Sequence, residues 1–137
     1  MELFTSEGCS SCPLADAAIA RLLQKNVDKT YILSFHVDYW NRLGWKDNFS
    51  KKQYSAHQQQ YAGFLSLNSV YTPQVIVNGT FQFVGSNENT LKKSVSDGIK
   101  NGSASNINIS AARKSNSILL HYNITGTDAL LLRTIDF

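Results

Sequence analysis

Little in this sequence is long and apolar, strongly charged, or rich in metal ligands. No apolar run approaches the roughly 20 residues that span a bilayer, so no membrane-crossing helix is expected. Charged residues make up 17% of the chain and leave a net charge of +3. That excess is small and evenly spread, and Lys51-Lys52 and Lys92-Lys93 read as solvated helix faces. Neither nucleic acid nor a membrane surface is therefore expected as a partner. Histidine occurs only as His36, His57 and His121, and there is no second cysteine pair, which is too few ligands for a zinc knuckle. The opening residues run almost directly into a strand, with no charged-then-apolar leader. A removed leader is expected ahead of them. What remains, 137 residues with a 42% hydrophobic fraction, suits one domain with an appendage.

The two cysteines stand together in Phe4-Thr5-Ser6-Glu7-Gly8-Cys9-Ser10-Ser11-Cys12-Pro13. Apolar Leu3 and Phe4 precede them, and Leu14, Ala17, Ala18, Arg21, Leu22 and Gln24 follow in a helix-forming run. A strand, a Cys-x-x-Cys turn and a helix form a geometry that activates a thiol. The first sulfur lies beside the unpaired N–H groups of the helix's first turn and the positive end of its dipole, which favour thiolate. Pro13 fits the first turn, where a missing N–H costs little. Glu7 works the other way, since a nearby carboxylate raises a thiol pKa. A static staple and two inert buried cysteines are the competing readings, although a bridge across so short a loop stabilises little.

The helix should cover about residues 12–26. The β-rich run Tyr31-Ile32-Leu33-Ser34-Phe35-His36-Val37 reads as a buried strand parallel to the first, completing a βαβ unit. Such a sheet works at the carboxyl ends of its strands, where Cys9 and His36-Val37-Asp38 arrive together. Residues 39–50 hold four aromatics in an irregular segment, and Trp40 or Trp45 is expected to shape a substrate groove. Ser50 should cap a helix running to about Leu65. Residues 70–84 read as a hairpin turned by Asn78-Gly79. Asn87 should cap a helix to about Lys100, closed by Gly102. From Ala104 the composition becomes that of short strands, with residues 129–135 as the last, and the chain stops in apolar sequence as if within a larger β element. The expected division is 1–103 for the main domain and 104–137 for a C-terminal β appendage.

The order β-α-β-α-β-β-α, with Cys-x-x-Cys at the first helix and Thr72-Pro73 before the third strand, resembles the thioredoxin fold, an α/β class with a mixed central sheet. The blocks Glu2 to Pro13, Phe35 to Trp40, Leu43 to Asp47 and Tyr71 to Gly79 resemble the signature of one bacterial thioredoxin-like family, domain of unknown function 1223, whose members generally carry secretory leaders. The resemblance implies a secreted or periplasmic protein without a cofactor, whose partners are protein thiols or disulfides. It implies a cis bond before Pro73, with the ring against the Cys-x-x-Cys turn and Thr72 offering its backbone to an extended substrate segment. Cys9 would be the exposed nucleophile and Cys12 the resolving thiol. The chain departs from ordinary thioredoxins in carrying Ser10-Ser11 between the cysteines, and in having Leu3 where their buried acid stands. Glu2 should point to the other face of the strand, which leaves Asp38 or His36 as the available proton acceptor. Two alternatives stay open: a Cu(I) carrier using both thiolates and His36, and a non-catalytic binding domain with a structural disulfide.

Overall fold

A computed structural model of the chain describes residues 1–25, 29–102, 105–115 and 117–126. The elements run β1 (Glu2–Thr5), α1 (Cys12–Lys25), β2 (Leu33–His36), a 3₁₀ turn (Asn41–Leu43), α2 (Lys52–Phe64), β3 (Gln74–Val77), β4 (Phe81–Val84), α3 (Glu88–Asn101), β5 (Asn106–Lys114) and β6 (Ser117–Thr125). Contacts divide the chain into Met1–Lys100 and Asn101–Phe137. Among the described residues no helix is long and apolar enough to cross a membrane.

The first unit is a mixed four-stranded sheet in the order β2-β1-β3-β4, consistent with a thioredoxin-like fold. β1 pairs in parallel with β2 and antiparallel with β3, and β3 pairs antiparallel with β4. Side chains alternate across the pleat, so the sheet has two distinct faces. Leu3, Val75, Val77 and Phe83 share one core cluster with Ala15, Ala18, Ile19 and Leu22 of α1 and Leu91 and Val95 of α3. Phe4 and Ile76 form the other cluster with Val37, and Tyr61 of α2 packs against it. Helix α1 comes very close to the sheet at Gly85. A Cβ there would stand 3.0 Å from the Ala15 Cβ and 3.1 Å from the Val75 Cγ2.

Local chemistry explains the turns. Asn78 and Gly79 take φ of 49° and 72°, the left-handed pair that turns a hairpin without splaying its strands. Asn87 caps α3 through its Oδ1, which accepts the Thr90 N–H at 3.1 Å. Gly102, at φ 63°, follows the last helical residue.

Two expectations are corrected. β2 is shorter than the apolar run suggested and is not buried: it is an edge strand, with Leu33 55% and Tyr31 81% exposed. Ser50 does not cap α2, whose N-cap is Lys51 without a side-chain bond. The Ser50 hydroxyl instead donates to the Asp47 carbonyl (2.8 Å) and accepts from Asn41 Nδ2 (2.9 Å).

The second unit contains the antiparallel β5–β6 hairpin. Its register puts Ile107, Ile109, Leu120, Tyr122 and Ile124 on one face, and Asn108, Ser110, His121 and Asn123 on the other. The expected strand at residues 129–135 lies outside the described residues.

Candidate functional site

The strand pairing builds the site. Thr5 ends β1 opposite His36, and Phe4 pairs with Gln74. The loop after β1, the end of β2 and the residue before β3 therefore share one sheet edge. That edge receives Ser6, Val37 and Pro73, and the Thr72–Pro73 bond there is cis with Pro73 buried.

The loop from Ser6 tightens at once. The Cys9 N–H donates to the Ser6 carbonyl (3.1 Å) and the Gly8 N–H to Ser6 Oγ (3.1 Å). Gly8 is needed here for space, because a Cβ would come within 3.1 Å of the Trp40 Cβ. The Cys12 N–H donates to the Cys9 carbonyl (3.2 Å), and α1 begins at Cys12. Cys9 and Cys12 form a disulfide with their Cα atoms 5.4 Å apart. Ser11 Oγ stands 3.6 Å from the Cys9 sulfur. Cys9 was expected to be exposed. It is instead 2% exposed and Cys12 1%, so in the disulfide state neither sulfur stands open to an attacking thiolate. Between the two cysteines, Ser10 and Ser11 face solvent.

Asp47 organises the surroundings, and the sequence reading had assigned it no role. Its side chain is 1% exposed. Oδ2 accepts the Glu7 N–H at 2.9 Å and stands 2.7 Å from His36 Nδ1, and Oδ1 accepts the Phe49 N–H at 2.9 Å. Burial alone would raise the Asp47 pKa. The hydrogen bonds from Glu7, His36 and Phe49 outweigh it and hold the carboxyl below its ordinary range. The Asp47 N–H donates to Asn41 Oδ1 (3.0 Å), closing the aromatic segment on itself. The signal available in the sequence was the aromatic segment itself, an irregular stretch whose one buried acid only folding reveals.

The remaining expected residues separate. His36 faces an open cleft with Thr5, Ser6, Glu7, Pro13, Asp16 and Trp45. Burial pushes the Asp16 carboxyl up, and His36 opposes that shift. Trp45 is 63% exposed and donates Nε1 to Glu7 Oε2 at 3.3 Å, so it stands over the cysteine loop. Trp40 takes a different part: its Nε1 donates to Thr72 Oγ1 at 2.8 Å, tying the aromatic segment to the residue before Pro73. Asp38 turns away from His36. Its N–H donates to Ser55 Oγ (3.0 Å) and its carboxylate accepts from that hydroxyl. Glu2 lies on the α2 face, bonded to His57 Nε2 and Tyr61 OH, both at 2.7 Å. Among the described residues no group of three His, Cys, Asp or Glu side chains is placed to hold a metal ion.

A disulfide across a Cys-x-x-Cys turn, at the first turn of a helix in a thioredoxin-like sheet, defines a protein compatible with dithiol–disulfide chemistry. The chain belongs to the family described as "Protein of unknown function (DUF1223)", whose profile matches residues 1–131. It is similar to protein AGR_C_4864 from Agrobacterium tumefaciens, known from an X-ray crystal structure, with 37% identity and a TM-score of 0.71. The match covers 87% of this chain and 53% of that one, so this chain spans about half the length of that relative. No curated protein matches it.

Proposed function

We propose that the protein is a thiol–disulfide oxidoreductase that exchanges disulfides with partner proteins outside the cytoplasm. The observation that carries this reading is the Cys9–Cys12 disulfide at the start of α1, on the edge where β1, β2 and the cis Thr72–Pro73 bond converge.

In the oxidised form Cys9 is covered, so the turn first opens to admit a partner thiolate, which then attacks the Cys9 sulfur. The bond to Cys12 breaks, Cys12 leaves as thiolate, and a mixed disulfide joins partner to Cys9. A second partner thiolate then attacks the partner's own bridged sulfur and releases Cys9. The partner departs oxidised by two electrons and the pair is left as a dithiol. The reverse sequence reduces a partner disulfide. Cys9 takes the intermolecular role because it precedes the helix and faces its positive end, and the Ser11 hydroxyl can donate to its thiolate. Thr72 and Pro73 flank the position of an incoming extended segment, and Trp45 offers it an exposed ring.

The test is a trap. Cys12→Ser should accumulate partners in dithiothreitol-sensitive adducts, while Cys9→Ser should not, and the reduced wild type should precipitate insulin. Equal trapping by both variants would reverse the two roles. A pair that dithiothreitol cannot reduce in the folded protein would leave only a staple.

A further inference from the structure

The proton chemistry of the pair has no acid on β1 to serve it, because Leu3 fills that place in the core. The neighbouring strand supplies a different group. His36 Nδ1 is held at 2.7 Å by Asp47 Oδ2, and Asp47 is an almost fully buried acid. A carboxylate there accepts, so Nδ1 carries a proton, and in the neutral ring Nε2 keeps the lone pair. The ring is 24% exposed and faces the cleft whose walls include Pro13, next to Cys12, and Ser6 and Glu7, just before Cys9. The Phe49 ring packs against it at 5.5 Å. The same Asp47 oxygen receives the Glu7 N–H, so one atom sets both the imidazole and the loop that carries Cys9. The ionisable groups facing His36 are Asp47 from the aromatic segment, Asp16 from α1 and Glu7 from the loop after β1.

We propose that His36, oriented by Asp47, accepts the Cys12 proton when Cys12 resolves a mixed disulfide at Cys9. This rests on the exchange reading above. Once the disulfide has opened, the Cys12 thiol at the first turn of α1 gives its proton to Nε2 beside Pro13, and the thiolate attacks the Cys9 sulfur. The Cys9–partner bond breaks as the Cys9–Cys12 bond forms. The partner leaves as thiolate and takes the proton back from the imidazolium, so ring and proton count are restored. Asp47 is the positioning residue.

The experiment follows reduced full-length protein reacting with glutathione disulfide between pH 5 and pH 9, with acid quench and mass detection of the mixed disulfide. His36→Ala should form the mixed disulfide within about twofold of the wild-type rate. It should resolve it about a hundredfold more slowly at pH 7, in line with the loss of a general base. The gap should close at high pH, where Cys12 ionises unaided, and imidazole in the buffer should restore the rate. Resolution at the wild-type rate across the range would overturn the proposal, as would failure of imidazole to rescue a folded variant. If His36→Ala does not fold, Asp47→Asn carries the test. It must slow resolution about tenfold and alter its pH profile, and an unchanged profile overturns the proposal. A wild type that forms no mixed disulfide at all would remove the exchange reading itself.

Discussion

Removing the Asp47 carboxylate should damage the fold in steps that can be counted. Oδ2 serves two donors, the Glu7 N–H and His36 Nδ1, and Oδ1 serves one, the Phe49 N–H. In Asp47→Asn the amide has a single oxygen. Its better placement keeps the first two bonds and turns the NH₂ towards Phe49, leaving one donor opposed. A buried polar group without a partner costs about 1–3 kcal/mol, so a loss near 2 kcal/mol is expected. Asp47→Ala abandons all three donors. Glu7 and Phe49 are exposed residues whose N–H groups can recruit water, so the loss should fall short of three full penalties, at about 4 kcal/mol. The sign with pH follows from the depressed carboxyl. Its folded pKa lies below the ordinary 3.8, so its contribution is complete above that value and is lost as pH falls towards the folded one. Asparagine has no such dependence. Urea unfolding of the oxidised protein, followed by circular dichroism, should therefore show a gap between wild type and Asp47→Asn at pH 7 that shrinks by pH 3. A gap of the same size at both pH values, or an Asp47→Ala loss under 1 kcal/mol, would refute this account of the network.

Gly85→Ala should lower stability by about 1–3 kcal/mol, because the new methyl meets Ala15 and Val75, both without accessible surface, and overpacking there has no outlet. A thermal melt unchanged from wild type would show that α1 can shift away from the sheet. Glu7→Gln removes the carboxylate two residues before Cys9, so the reduced thiol should ionise more readily and react severalfold faster with iodoacetamide at pH 7. A slower reaction would mean that the Glu7–Trp45 bond matters to Cys9 more than the charge does.

Much of this fold was legible because its decisive signals are local. Asn78-Gly79 turns a hairpin because those two residue types accept positive φ, and Asn87 starts α3 because its side chain reaches the Thr90 N–H. Of the α1 run read between Leu14 and Gln24, Ala18 and Leu22 are buried, whereas Leu14 is exposed and the buried stripe is completed by Ala15 and Ile19. What escaped depends on distant parts of the chain. The run from Tyr31 to Val37 is apolar enough for a central strand, yet nothing within it says that β1 and β3 occupy the middle of the sheet. Asp47 is charged and sits among aromatics in an irregular segment, so its burial follows only when Glu7, forty residues away, closes over it. His36 and Asp38 looked interchangeable at the end of β2. The start of α2 separates them, because Ser55 takes Asp38 and leaves His36 to the cleft.

That separation bears on why the core-facing position Leu3 of β1 carries no acid. Leu3 belongs to the cluster with Ala15, Val75 and Val77, under a helix so close that Gly85 leaves no room for a methyl. A carboxyl at Leu3 would meet those apolar neighbours and no donor among them, and an unpaired buried charge costs far more than a well-packed leucine. The edge strand lacks this constraint. At β2 a polar group can lean on the sheet with one side and meet solvent with the other, as the half-buried His36 does. The cost of burial is then carried by Asp47, whose three hydrogen bonds keep it ionised inside the fold. The proposed proton exchange at the rim is thus compatible with a tightly packed core under the cysteines, because His36 stands one strand away from where the helix presses hardest.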